Sequence, residues 1–204
     1  MSIVTYNNRS IANISAIPGA AKSLTHIKTL TASSSATLSF VDGSSDVVLD
    51  STYPIYKFEF INIHPATDGA SFQFNMSIDS GSNYNVTKTT TYFTAYNYES
   101  GGTPALTYAT NVDLAQSTAF QNVNSGVGSD NDQCAVGTLH LFNPSSTTFV
   151  KHFLTCGNTY ESSDLSSNVF VAGYGNTTSA VDAVQFKMSS GNIDSGQILL
   201  FGLN

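Results

Sequence analysis

The most constraining feature of this sequence is a ten-residue run, Ala70 to Asp79, in which apolar and polar side chains alternate without a break. Ala70, Phe72, Phe74, Met76 and Ile78 fall on one side, and Ser71, Gln73, Asn75, Ser77 and Asp79 on the other. A period of two places every apolar group on one face of an extended strand, whereas a helix would scatter them round its circumference. The run therefore predicts a strand with one face in a core. Asp79-Ser80-Gly81-Ser82 follows as a turn, and Tyr84 and Val86 begin the return.

The same period recurs along the chain. Ala36, Leu38 and Phe40 alternate with Thr37 and Ser39. Tyr56, Phe58 and Phe60 alternate with Lys57 and Glu59, but then Ile61 and Ile63 become the apolar positions. That slip at Phe60-Ile61 predicts a β-bulge or a strand passing between sheets, ended by His64-Pro65. Further strands are read at Thr90–Tyr98, Ala135–Phe142, Thr148–Cys156, Asn168–Gly173, Ala183–Met188 and Gln197–Gly202, separated by Gly, Asn, Ser and Asp clusters. Asp113 to Gln121 reads as one short helix or a loop.

Roughly nine or ten strands without a long helix predict two packed antiparallel sheets. Long connections at Glu99–Asp113 and Gln121–Gln133 favour Greek-key or jelly-roll winding over a meander. No internal repeat supports a propeller or β-helix. The expected architecture is all-β, a single antiparallel β-sandwich of jelly-roll type over residues 24–204. It is preceded at 1–23 by an irregular N-terminal arm or attachment segment, or a plain tail, in which Ile11, Ile14 and Ile17 recur before Pro18-Gly19.

A chain of 204 residues is long enough for such a domain to bury a core without staples. Only 10% of its residues are charged, so Ser, Thr, Asn, Gln and Gly are expected to make the surface. The net charge is -7, and the seven basic residues, Arg9, Lys22, Lys28, Lys57, Lys88, Lys151 and Lys187, never cluster. Phosphate neutralisation needs grouped cations, so neither nucleic acid nor an anionic membrane is an expected partner. The N-terminus lacks a charged start before an apolar run, and no stretch approaches the ~18 apolar residues of a spanning helix. Neither export by the usual route nor membrane insertion is expected.

Each constellation that might carry chemistry meets a structural alternative. His26, His64, His140 and His152 have no recognised metal-ligand spacing, although His140 and His152 lie in strands that could be neighbours. The simpler expectation is four hydrogen-bonded side chains on polar strand faces. Asp68 with Asp79, or Asp130 with Asp132, are the carboxylate pairs available for glycoside hydrolysis, but all four sit where Asp shapes turns. Ser129-Asp130-Asn131-Asp132 and Asp42-Gly43-Ser44-Ser45-Asp46 offer oxygens at close spacing without matching a twelve-residue calcium loop. Cys134 and Cys156 make no disulfide framework, and two reduced, mostly buried thiols are expected. Asn-x-Ser/Thr triplets at Asn8, Asn13, Asn75, Asn85 and Asn176 follow from Ser and Thr abundance. Tyr96 and Tyr98 are aromatics that would stack on a sugar if exposed, though strand aromatics usually fill cores. No residue is assigned a catalytic, metal-binding or cofactor role, no cofactor is expected, and no binding residue is singled out.

TASSSATLSF at Thr31–Phe40, DSTY at Asp50–Tyr53 and FINIHPATDGASFQFNMSIDSGSNYNVT at Phe60–Thr87 resemble a recurring module of bacteriophage structural proteins. The module is found especially among marine phages, cyanophages included, as a short stand-alone protein or near the ends of tail-fibre-like chains. LHLFNPSSTTFVKHF at Leu139–Phe153 and SSGNIDSGQILLFGLN at Ser189–Asn204 are similar to the same family. The resemblance covers the chain from about residue 24. It implies a virion structural protein made in the host bacterial cytoplasm, not an enzyme. The expected place is the tail, as a fibre or receptor-binding component contacting other virion proteins and a host-surface glycan or receptor. A head decoration (cement) protein on the capsid, or a carbohydrate-binding module, is the alternative. Tail appendages are usually trimeric, so a homo-oligomer, with a trimer as the guess, is expected.

Overall fold

Twelve strands, and no helix among the described residues, build the computed structural model, which describes residues 24–204. The arm or attachment segment expected at 1–23 lies outside the described residues. The strands are β1 (Leu24–Ser35), β2 (Leu38–Val41), β3 (Ile55–Pro65), β4 (Ala70–Ser77), β5 (Lys88–Tyr98), β6 (Ala105–Tyr108), β7 (Gln121–Val127), β8 (Ala135–Phe142), β9 (Lys151–Glu161), β10 (Leu165–Gly175), β11 (Ala183–Met188) and β12 (Ile193–Leu203). All pairings between them are antiparallel.

The strands form one connected sheet in the order β1-β12-β3-β8-β9-β7-β4-β11-β2, with β10, β5 and β6 added beside β9. β9 meets β7 at a single register pair, Val127 with Glu161, while it pairs β8 and β10 along most of its length. The sheet therefore folds over at that corner. At the other end of the path, β1 and β2 are consecutive in the chain and separated only by Ala36 and Thr37. Alternating directions along nine antiparallel strands make β1 and β2 point the same way, so the chain passes straight from one end of the sheet to the other. Such a bent, sheet-switching strand closes a corner. The result is a nearly closed, barrel-like sheet wrapped round its own inner face.

Four pairs are nested, first strand with last: β1 with β12, β2 with β11, β3 with β8 and β4 with β7. β12 with β3 and β11 with β4 then join these ribbons side by side. β5, β6, β9 and β10 stand outside this nest as an extension of its β8 edge.

The inner face is aromatic. Phe186 of β11 lies against Phe58 and Phe60 of β3 at centroid distances of 5.3 Å each, and against Phe72 of β4 at 5.7 Å. Phe40 meets Phe58 edge-on at 5.3 Å, and Phe74 meets Phe153 of β9 at 4.9 Å. All seven rings are buried. Edge-to-face and offset geometries suit the ring quadrupoles, so this cluster gains more than its area alone.

The alternation of buried and half-buried side chains holds from Ala70 to Phe74; Asn75 and Ser77, read on the polar face, are buried as well, and Ile78 emerges beyond the strand and is exposed. The phase slip in β3 is a bulge. The register breaks between Phe60 and Ile63, Asn62 takes φ 50°, Ile61 faces out and Ile63 is fully buried. Gly196 of β12 sits beside it at φ 120°, where a Cβ would stand 2.6 Å from the Asn62 carbonyl oxygen. Only glycine accommodates both the backbone angle and the approach.

Several expectations are resolved or corrected. Of the two readings of Asp113 to Gln121, the loop holds for residues 113–120, where Leu114 O accepts the Thr90 N–H and Ser117 exchanges backbone hydrogen bonds with Lys88. The long connections read at Glu99–Asp113 and Gln121–Gln133 contain β6 and β7. Tyr84 and Val86 start no strand; one backbone bond, Val86 N–H to Met76 O, carries the return before β5 begins at Lys88.

Candidate functional site

β9 displays the burial pattern of a strand with one wet face. Lys151, Phe153, Thr155, Gly157 and Thr159 are buried, while His152, Leu154, Cys156 and Asn158 are exposed. What its wet face carries is unexpected. Opposed residues of an antiparallel pair share a face, so the register assembles the outward rows. One row runs Thr138–Cys156–Phe170–Phe93–Tyr108 across β8, β9, β10, β5 and β6. The next runs His140–Leu154–Ala172–Thr91, and another Val136–Asn158–Asn168–Ala95–Leu106. Phe142, His152, Tyr174 and Thr89 complete the face.

The outward face of this extension is apolar and free of Asp, Glu, Lys and Arg at these positions. Leu106 is 72% exposed, Leu154 51%, Phe93 41% and Phe170 37%. Phe93 and Phe170 stack on each other at 5.1 Å with planes 15° apart. Two shallow grooves, of about 640 and 370 Å³, flank Leu154 and Ala172. Single exposed apolar residues are ordinary, but a contiguous patch is the mark of a contact surface.

The two histidines singled out for a shared site do lie on this face, yet apart. His140 opposes Leu154, and His152 is one outward step further along β9. Their neighbours are aromatic: Phe142 lies 6.5 Å from His140, and Tyr174 lies 6.0 Å from His152. They do not stand on a polar strand face as expected. Burial first, and then the Lys57 ammonium, push the His140 imidazole below its ordinary pKa. His26 bonds Thr29 and meets Phe201 edge-on, and His64 lies 3.2 Å from the Asp130 carbonyl oxygen.

Of the two carboxylate pairs, one is too widely separated for glycoside hydrolysis. Asp68 and Asp79 stand at opposite ends of β4, about 26 Å apart by strand rise and far beyond the ~5–9.5 Å that glycosidases use. Asp68 accepts the Ser129 N–H, and Asp79 accepts from Asn83 first and then Ser77, which holds its carboxyl below the ordinary value. Asp130 and Asp132 lie in a turn closed by Gln133, whose side chain accepts the Asp130 N–H. Asp42 accepts the Leu49 N–H in its own turn. Among the described residues, no group of three His, Cys, Asp or Glu side chains is gathered for a metal ion.

Both cysteines are free, and they are not mostly buried: Cys134 is half-buried and Cys156 is exposed on the apolar face. Cys134 neighbours Tyr160, four residues along β9 from Cys156, so roughly 13 Å of strand separates them, beyond disulfide reach. Tyr96 and Tyr98 pack edge-to-face at 5.6 Å on the opposite side of β5 and are half-buried. Asn75 is fully buried and bonds Lys88, so its triplet is closed to modification.

Three ionisable groups escaped the sequence reading. Lys88 and Lys151 are fully buried and oppose Gly175 of β10 from either side. Lys88 donates to Asn75 Oδ1 and the Val86 carbonyl, and desolvation lowers its pKa to about 7. Lys151 donates to the Phe149 and Thr177 carbonyls, and burial lowers its pKa also. Glu161, at the β7–β9 corner, lines a polar pocket of about 250 Å³ with Tyr92, Ser125 and Ser167, and burial raises its pKa. A lone charge on a strand gives no sequence signal of burial; the pairing of the strands decides it.

No helix among the described residues is long and apolar enough to cross a membrane. No protein-family model, curated protein or solved structure matches this chain.

Proposed function

We propose that this chain is a non-enzymatic structural protein of a bacteriophage particle, placed on the tail as a fibre or receptor-binding component, and held there by protein–protein contact. The single observation that carries the contact role is the uncharged apolar face spread over β8, β9, β10, β5 and β6. The phage setting rests on the sequence resemblance at Thr31–Phe40, Phe60–Thr87, Leu139–Phe153 and Ser189–Asn204. The non-enzymatic reading is supported by the separation of Asp68 from Asp79 and by the bond that Asp42 accepts from the Leu49 N–H.

The same proposal includes a jelly-roll winding. Eight strands arranged as a ribbon with the first paired to the last, and rolled up, give two Greek keys. The nested pairs β1–β12, β2–β11, β3–β8 and β4–β7 support this, with β5, β6, β9 and β10 as an addition that carries the contact face.

Mass spectrometry of purified particles tests the role. The chain is expected in few copies per particle and in tail fractions. Hundreds of copies would move it to the capsid as a decoration protein, and absence from intact particles would refute the virion role. Excess purified chain should also block adsorption to host cells if it recognises the host surface.

A further inference from the structure

We propose that the polar cleft at the β7–β9 corner binds a single sugar ring, with the Glu161 carboxylate accepting from two of its hydroxyl groups. Such a ligand rests on the host-surface reading above for its biological setting, while the site itself rests on the geometry of the corner.

The inner face changes character here. Along β10 the inward side chains run Val171, Val169 and then Ser167, and along β5 they run Tyr92 and then Thr94. Glu161 takes the inward place at the end of β9 that Phe153 and Thr155 hold further back. Across the cleft, β7 supplies Asn122 and Ser125. The aromatic packing of the core gives way to an opening of about 250 Å³.

These groups are held in place by one another. The Tyr92 and Ser125 hydroxyls share a hydrogen bond of 2.7 Å, and the Thr94 and Ser167 hydroxyls one of 2.8 Å. Gln73 Nε2 donates to Asn122 Oδ1 at 2.7 Å. Tyr92 and Ser167 are fully buried. A hydroxyl offers one donor and two acceptor sites, so each keeps capacity for a ligand. Groups already ordered lose little freedom when a ligand arrives.

Glu161 selects the ligand. The ion pairs among the described residues are Lys57–Glu59 and His64–Asp194, and neither includes it. A half-buried carboxylate beside the single hydroxyl of Ser167 is short of donors, and desolvation raises its pKa. Neighbouring hydroxyls of a sugar supply two O–H donors to its two oxygens. Ala109 and Val112 also line the cleft and give the C–H face of the ring an apolar wall. An anion would be repelled. A metal ion needs several oxygens within ~2.6 Å, and an opening the size of about eight waters is too wide to gather them. The volume lies below the ~300 Å³ at which sites enclose drug-sized ligands, so it suits one ring and not a chain of them.

Isothermal titration calorimetry on the full chain tests the site, with the methyl glycosides of glucose, galactose, mannose and N-acetylglucosamine as probes. At least one is expected to bind with a roughly millimolar dissociation constant, the range for so small a ligand. Glu161→Gln should weaken that binding at least about 10-fold, because the carboxamide has one acceptor oxygen and no charge. Asn111→Trp, at an exposed rim position, should abolish it by filling the cleft without touching the hydrogen-bonded groups. Asp46→Asn, exposed between β2 and β3, should bind as wild type does. Circular dichroism should show all three variants folded. Absence of heat from every glycoside at tens of millimolar would overturn the proposal, as would equal binding by Glu161→Gln and Asn111→Trp. So would binding of calcium chloride or ethylammonium chloride in place of the sugars, which would make the cleft a cation site. Those outcomes leave the virion role standing; sugar binding by a chain absent from purified particles would keep the site and remove its setting.

Discussion

Phe186→Ala is expected to cost about 3–5 kcal/mol of stability, the range for removing a large aromatic side chain from a packed core. The midpoint of urea unfolding should fall without a change in slope. The size of the effect follows from position. Phe186 sits on β11 between β4 and β2, and its ring meets Phe58, Phe60 and Phe72 within 5.7 Å and Phe40 and Phe74 within 6.4 Å. These five partners come from β2, β3 and β4, so the cavity would open where the folded-over sheet is held to itself. Partners on several strands cannot collapse together into the space that one ring leaves. A loss below about 1 kcal/mol would show that the two sides of the sheet do not meet through this cluster.

Lys88→Met is expected to stabilise the fold at pH 7 and to remove a pH dependence. Lys88 is fully buried without a carboxylate partner among the described residues, and desolvation holds its pKa at about 7 in the folded chain. In the unfolded chain the group titrates near ~10.4. Between those values the unfolded state binds more protons, so stability rises with pH across the window. Below pH 7 both states are protonated and the burial penalty is present in full. The advantage of the methionine variant should therefore shrink by roughly 3 kcal/mol between pH 7 and pH 9.5, measured by paired denaturation curves. Tyr92, raised to about 12 by burial, lowers stability only above its unfolded value near ~10, so the window avoids it. The substitution leaves Asn75 Oδ1 with the Met76 N–H but strips the Val86 carbonyl of its Lys88 bond, which offsets part of the gain. Parallel pH profiles for the two proteins would place the Lys88 amine in water.

The fold was legible where one face of a strand is buried and the other is polar. Ala70 to Met76 and Tyr56 to Phe60 have that pattern, and both form strands where expected. The slip after Phe60 was legible too, because a bulge changes the phase of alternation. β6 and β7 were missed for a physical reason. Ala105–Tyr108 is a four-residue edge strand with mostly exposed side chains, and Gln121–Val127 buries Gln121 and Asn124 beside Val123. Neither presents an apolar period.

The contact face was hidden by the opposite effect. Phe153-Leu154 in β9 and Val169-Phe170-Val171-Ala172 in β10 are apolar on both sides, which in a sequence reads as a strand buried on both faces. Only the register reveals that Leu154, Phe170 and Ala172 share the outward side with Phe93 and Cys156. The sequence places His140 and His152 on strands that could be neighbours but does not show their aromatic setting, since the outward partners of those strands come from residues far away in the chain. The turn-forming carboxylates are legible at Asp42 and Asp79, because Asp bonds to nearby backbone groups are local.

The most direct test of the central claim, that this face is buried when the protein takes up its place, is the reactivity of Cys156. Its thiol is exposed in the middle of the face, and Cys134, half-buried outside it, serves as the internal reference. Purified particles and dilute purified chain would be treated with a maleimide, and both cysteines read by peptide mass spectrometry. The predicted result is labelling of Cys156 at least about tenfold slower in the particle, with Cys134 little changed. Equal labelling of Cys156 in both states would contradict the account.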